Sequence, residues 1–318
     1  MSSFLNARFA KISDRLAREG WTALPRWAAR WMYWNARLYR LPQMLDRERW
    51  RMAYKTRRPN KKYGIQNPIL VYQMGKVGSK SVYHSLQALD LDVPVYHLHT
   101  LNRLDEYEAE VRQRFANPQP YLEALAYGRK IRAEYESARW HTWNLISLVR
   151  APVPRAISEF FENIETFFPD FSTRLARNPI SVQALQEFFV SQFQDTSPQT
   201  WFDHQVHELF GLDVYATPFD RARGYQIYQG ERVRLLLMRL ENLNACAAPA
   251  LQSFLGLENF TLQKSNEGSA KEYAALYQTF LDTLRLPDAF IHKMHSTRYA
   301  RHFYTPEELN ASVARWTH

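Results

Sequence analysis

The chain has 318 residues, enough for one large α/β domain plus an appendage, because single cores stop growing at roughly 250–300 residues. Hydrophobic residues make up 46% and aromatics 14%, so the chain can bury a core and a disordered class is excluded. A lone cysteine, Cys246, excludes an internal disulfide framework and any multi-thiolate metal site, and it fits a reducing compartment.

The formal charge of +9 is unevenly placed. Residues 1–62 carry 16 Lys/Arg against 4 Asp/Glu, leaving 25 against 28 for residues 63–318. The leader also holds Trp21, Trp27, Trp31, Trp34 and Trp50. Trp27, Trp31 and Trp34 fall at i, i+4 and i+7, one face of a helix flanked by Arg26, Arg30 and Arg37. Such a face either docks on the rest of the chain or makes peripheral contact with the headgroups of an anionic membrane, at its inner face. The basic run Lys55-Thr-Arg-Arg-Pro-Asn-Lys-Lys62 reads as an exposed linker, which sets the boundary between a helical basic extension, 1–62, and the main domain, 63–318. No stretch approaches the ~18–20 apolar residues of a bilayer span, and Met1-Ser-Ser-Phe-Leu-Asn-Ala-Arg8 lacks a signal peptide's apolar core. A cytoplasmic location is expected, with no nucleic-acid partner.

From residue 65 strands alternate with helices, which predicts an α/β fold: a P-loop-like central parallel sheet flanked by helices. Core strands are expected at Ile69–Tyr72, Val93–Tyr96, Leu145–Val149 and Val233–Met238. Val82, Leu86 and Leu89 keep helical spacing after the first strand. Leu122–Ala138 reads as a second helix, and Ser181 caps a third through Phe193. Thr305-Pro-Glu-Glu308 combines a cap residue, Pro at the first helical position and Glu at the third, a helix start.

The chemistry concentrates at strand ends. Glycine is scarce, 10 in the chain, yet Gly75 and Gly78 stand together directly after the first strand, in Gln73-Met-Gly-Lys-Val-Gly-Ser-Lys-Ser81. A tight strand-to-helix turn there lets backbone N–H groups approach an anion, while Lys76, Ser79, Lys80 and Ser81 supply charge and hydroxyls. The spacing is not that of a Walker A loop: two residues separate the glycines, and Ser79 intrudes before Lys80. The third strand closes on Ser147-Leu-Val-Arg-Ala-Pro-Val-Pro-Arg-Ala-Ile-Ser158. Its Arg150 and Ser158, eight residues apart, can share one phosphate, with Arg155 as a further charge. The second strand runs into Tyr96-His-Leu-His99. In a parallel sheet that places His97 and His99 beside the first turn, and no third ligand at convincing spacing accompanies them to hold a metal.

Lys76-Val-Gly-Ser-Lys-Ser81 resembles the donor loop P-K-x-G-[ST]-[ST] of sulfotransferases that use 3′-phosphoadenosine 5′-phosphosulfate (PAPS). Gly75 stands where that family has Pro, and Lys80 where a hydroxyl residue is common. Arg150 and Ser158 match the family's grip on the donor 3′-phosphate, and Tyr96-His-Leu-His99 is similar to the Y-H-x-H segment of uronosyl 2-O-sulfotransferases. Over roughly residues 66–310 the chain looks closest to a bacterial group of capsular polysaccharide synthesis proteins within that superfamily. The resemblance implies a metal-free transfer from PAPS, leaving PAP, to a hydroxyl acceptor, most readily a carbohydrate. It implies His99 as base with His97 assisting, and Lys76 stabilising the leaving group. Gly75, Lys76, Val77, Gly78, Ser79, Lys80, Ser81, Arg150 and Ser158 would hold the donor. Lys264 and Lys271, in a segment that looks like the late donor loop, either touch the nucleotide or face solvent. Glu241 reads as structural; Trp201, His204 and His207 either line an acceptor cleft or sit on a hydrated helix. Two rivals stay open: a P-loop-like small-molecule kinase, which lacks a Mg²⁺ carboxylate where the third strand ends in Arg150, and a non-catalytic nucleotide-binding scaffold of polysaccharide assembly.

Overall fold

A computed structural model of the chain describes residues 63–115, 117–177, 180–263 and 273–317. The Trp-rich leader and linker, Lys264 and Lys271 lie outside the described residues. By contacts, residues 67–90 and 95–318 form one compact unit, which carries every element below.

Five strands make one sheet in the order β2-β1-β3-β5-β4. They are β1 (Ile69–Tyr72), β2 (Val95–Leu98), β3 (Trp143–Val149), β4 (Tyr225–Gln229) and β5 (Val233–Arg239). The first four in spatial order run parallel, and β4 closes the edge antiparallel to β5. β1 and β3 are buried along their whole lengths, as strands covered on both faces must be. Two expectations shift. The second strand starts at Val95 rather than Val93, because Pro94 has no N–H to give a ladder. β4 is an addition: Tyr-Gln-Ile-Tyr-Gln pairs on one side only and so carries no continuous apolar run.

Helices α1 (Ser79–Ala88), α2 (Leu104–Arg114), α3 (Gln119–Glu136) and α4 (Pro152–Glu162) fill the connections of the parallel strands. α1 buries Val82 and Leu86 as its spacing predicts, and α3 begins three residues earlier than expected, behind Pro118. Two short helical turns lead to α5 (Val182–Ser191), whose cap Ser181 accepts from the Ala184 N–H. A helical segment follows: Ser197–Trp201, a π-helical turn Phe202–His207, then Glu208–Phe210. After β5 come α6 (Leu243–Leu255), α7 (Ala274–Thr283), α8 (Asp288–His295), α9 (Arg298–Phe303) and α10 (Pro306–Thr317). The capping box at α10 forms as read: Glu308 N–H donates to Thr305 Oγ1 at 3.2 Å, and Thr305 N–H to Glu308 Oε2 at 2.8 Å.

Behind the sheet, α4, α5, α7 and α8 share a Phe-rich core in which Phe160, Phe161, Phe189 and Phe280 are almost fully buried. Arg155 lies in this layer, ion-paired to the buried Asp195. Its charge is therefore spent on structure and does not reach toward a donor, a correction to the sequence reading. No helix among the described residues is long and apolar enough to cross a membrane.

Candidate functional site

The strand order places a topological switch at β1: the chain leaves β1 to form β2 on one side and later returns to form β3 on the other. At such a point the loops of an open α/β sheet diverge and leave a crevice outside the carboxyl ends of the strands, where ligands bind. The turn after β1, the end of β2 and the end of β3 all lead to this crevice.

In the turn, Lys76 (φ 66°) and Gly78 (φ 79°) are both left-handed, which reverses the chain in six residues between β1 and α1. Gly78 is the N-cap of α1, no side chain caps that end, and its first turn holds no acidic residue. A helix start of this kind presents its dipole and first-turn N–H groups toward an anion. A Cβ on Gly78 would also approach Leu240 Cδ1 to 2.5 Å. Gly78→Ala is expected to destabilise the fold by about 1–2 kcal/mol through the left-handed backbone alone, read as a lower denaturation midpoint. Gly75→Ala, where φ is negative, should cost less.

Arg150 follows β3 and crosses the crevice, its Nη1 donating to the Lys76 carbonyl at 3.1 Å. Its backbone is clamped by Tyr299 of α9, whose hydroxyl accepts from Arg150 N–H and donates to Arg150 C=O, both at 2.9 Å. Glu241 sits beside it, accepting from Ala151 N–H at 2.7 Å and from the Tyr304 hydroxyl at 3.1 Å. These contacts tie Glu241 to the start of α4 and to Tyr304. The Arg150 guanidinium is half-buried and has no carboxylate within ion-pair distance among the described residues. Burial pulls its pKa down, although a guanidinium stays charged at any physiological pH. Ser158, one and a half turns into α4, also spends its hydroxyl on no partner among the described residues.

At the end of β2 the register sets Val71 beside His97 and Tyr72 beside Leu98, so both histidines lie level with the start of the turn. Their rings meet edge to face, 5.2 Å between centroids, and His97 stacks on Tyr83 of α1. His99 Nδ1–H donates to the Gln73 carbonyl at 2.8 Å, which fixes the tautomer and leaves Nε2 as an open acceptor. His99 is exposed on one side and crowded by protein on the other. The crowded side strips water from the ring and lowers its pKa, with Lys76 and Lys80 adding to the effect, while the Gln73 carbonyl and Glu159 oppose it. His97 is engaged differently: its Nε2 lies 2.9 Å from Ser79 Oγ and 3.1 Å from Gln73 Nε2. Burial, then the neighbouring His99, Lys80 and His84, pull it down to about 3, so it is neutral at any working pH.

Lys76 Nζ pairs with Glu162 Oε2 of α4 at 2.9 Å. Within the turn Val77 is buried as a structural pin and Ser79 is committed to His97, whereas Lys80 stands on the exposed side of α1. The half-buried Ser81 lends its carbonyl to Ser85 at 2.7 Å. Behind the histidines, the helical segment 197–210 braces the loop that follows them. Trp201 Nε1–H donates to the His99 carbonyl at 2.9 Å. Buried Gln205, in the π-helical turn, accepts from the Tyr72 hydroxyl and from the N–H groups of Leu101 and Asn102, both at 2.9 Å. Trp201 thus supports the site from behind and does not line a cleft. The signals for Gln73 and Gln205 were a polar residue closing an apolar strand and one inside an apolar helix face. Among the described residues no three His, Cys, Asp or Glu side chains converge on a metal-ligand set.

Fold and site together define an α/β protein with a glycine turn and a helix start without a side-chain cap at its switch point, and two histidines beside them. Residues 178–305 match the model of a family described as "Putative capsular polysaccharide synthesis protein", which connects that segment with capsular polysaccharide synthesis. The match takes in β4, β5, Glu241 and Tyr299, and the turn 73–81 precedes it. No curated protein and no solved structure matches the chain.

Proposed function

We propose that the protein transfers a sulfuryl group from PAPS to a hydroxyl of a carbohydrate. The observation that carries this reading is Arg150, a half-buried guanidinium with no carboxylate partner among the described residues, laid across the crevice onto the turn that follows β1. A buried cation left unneutralised by the protein is costly unless an anion completes it. The uncapped N-terminus of α1 and the unspent hydroxyl of Ser158 add donors nearby. The residues fit a nucleotide with two separate phosphates: the turn and α1 for the 5′ side, Arg150 with Ser158 for the 3′-phosphate.

PAPS, when bound, supplies an activated sulfuryl group and a bisphosphate leaving group. Sulfuryl transfer resembles phosphoryl transfer in resting on positioning and charge stabilisation. Lys76 would leave Glu162 to offset negative charge gathering at the turn. His99 Nε2 would take the proton from the acceptor hydroxyl, with Nδ1 held by the Gln73 carbonyl. Gln73 and Ser79 hold the His97 ring in place beside it, and burial keeps that ring neutral. The link of residues 178–305 to capsular polysaccharide synthesis favours a saccharide acceptor.

Calorimetry with PAP against ATP plus Mg²⁺ tests the donor. PAP is expected to bind and ATP with Mg²⁺ not to. Arg150→Ala should weaken PAP by about ten- to a hundredfold, the worth of hydrogen bonds to a charged group. Preference for ATP with Mg²⁺ would point to phosphoryl transfer instead. PAP binding without label transfer from radioactive PAPS to any saccharide would point to a scaffold.

A further inference from the structure

A cavity of about 570 Å³ opens among α8, α9 and α10, and neither the turn, the histidine pair, Arg150 nor Ser158 lines it. Its volume falls within the range of roughly 300–1,000 Å³ common for small-ligand sites. The polar wall holds two guanidinium groups, Arg221 and Arg301, and two imidazoles, His292 and His295, against one carboxylate, Asp288; burial, with His292 adding to it, lowers the pKa of His295. Arg221 is held in place by donating to the carbonyls of His302, at 3.1 Å, and Arg301. Arg301 is exposed and neither it nor Asp288 has an ion-pair partner among the described residues. His295 is 9% exposed and its buried Nε2 has no hydrogen-bond partner among the described residues. The apolar wall comes from Pro306, Leu309 and Val313, and the Tyr304 ring is also in the lining.

Such a wall pair calls for a ligand with an anionic edge and a face of C–H groups. Unpaired cations around a recess raise the local concentration of anions, and an arginine fork suits a carboxylate. An aliphatic wall accepts the C–H face of a pyranose ring. Both arginines and both histidines lie within the segment that matches the capsular polysaccharide family. We propose that this pocket binds an acidic sugar unit of a polysaccharide, at a site apart from the Arg150 crevice. Its position has a mechanical consequence. Tyr304 lines the pocket and bonds Glu241, and α9 carries both Arg301 and Tyr299, so an occupied pocket abuts the struts that hold Arg150.

The full chain, without nucleotide, is titrated with glucuronic acid, glucose and inorganic phosphate, followed by calorimetry and by the imidazole signals of His292 and His295. Glucuronic acid is expected to bind, to move both signals and to raise both pKa values; glucose is not. Arg301→Ala should weaken glucuronic acid at least tenfold, with part of the loss recovered in Arg301→Lys. The Arg301 side chain is exposed and has no ion-pair partner among the described residues, so the variant should keep the wild-type denaturation midpoint. The proposal is overturned if glucuronic acid does not bind, if Arg301→Ala binds it as the wild type does, or if glucose binds equally well. Phosphate that binds as tightly and displaces glucuronic acid would also overturn it, by reducing the pocket to a general anion site. No nucleotide is present, so the result does not depend on whether the Arg150 crevice binds PAP.

Discussion

Lys76→Ala is expected to lower sulfuryl-transfer turnover about 10²- to 10³-fold, the usual cost of removing one donor aimed at charge that develops in a transition state, with a smaller loss of PAP affinity. The alternative is that Lys76 only ties the turn to α4 through Glu162. Magnitude separates the two. The Lys76–Glu162 pair has side-chain exposures of 23% and 46%, and pairs in that setting contribute at most about 1 kcal/mol, a factor of five or so. Backbone strain does not confuse the result, because Ala and Lys carry the same left-handed penalty at φ 66°. Glu162→Gln is the matching control: it breaks the ion pair and leaves the ammonium free. A hundredfold loss in Lys76→Ala with less than a fivefold change in Glu162→Gln places the effect at the reacting centre. Equal losses in both would reduce Lys76 to a tether.

The sheet was legible wherever burial on both faces writes itself as an unbroken apolar run. Ile69-Leu-Val-Tyr72 appears as read, and Leu145–Val149 and Val233–Met238 gain only one or two residues at their ends. β4 was hidden because an edge strand needs one apolar side, and Tyr225-Gln-Ile-Tyr-Gln229 looks like a loop until it pairs with β5. Helix ends with cap chemistry, Ser181 and Thr305, were legible for the same local reason.

In the site, the turn and the two histidines were legible because glycine pairs and strand-terminal residues announce themselves locally. What holds them was not. Tyr299 clamps Arg150 from 149 positions away, and Gln205 accepts from Leu101 across 104. No spacing rule reaches that far. Local reading also assigned Arg155 by its charge and neighbours, whereas Asp195, forty residues on and buried, decides where that charge goes. Breaking such a pair would strand a buried cation.

His99→Gln is expected to lower turnover about 10²- to 10⁴-fold, the range for loss of a positioned general base, and the pH profile says whether the base is His99 or His97. A base must be unprotonated. Desolvation by the crowding protein lowers the pKa of His99 beneath the ordinary 6.5, so the wild-type rate should be level above neutral pH. It should fall on acidification through that lowered value, as Nε2 takes up a proton from water before the acceptor can deliver one. His97, pulled down to about 3, is neutral throughout and cannot produce that limb. Its ring is occupied with Ser79 and Gln73, whereas His99 Nε2 is open. His97→Gln should therefore slow the reaction by disturbing the turn while leaving the acid limb where it was. His99→Gln should remove the limb along with most of the rate. If the limb persists at the same pH in His99→Gln, the proton goes elsewhere, and Glu159, close enough for its charge to act on His99, is the next residue to replace.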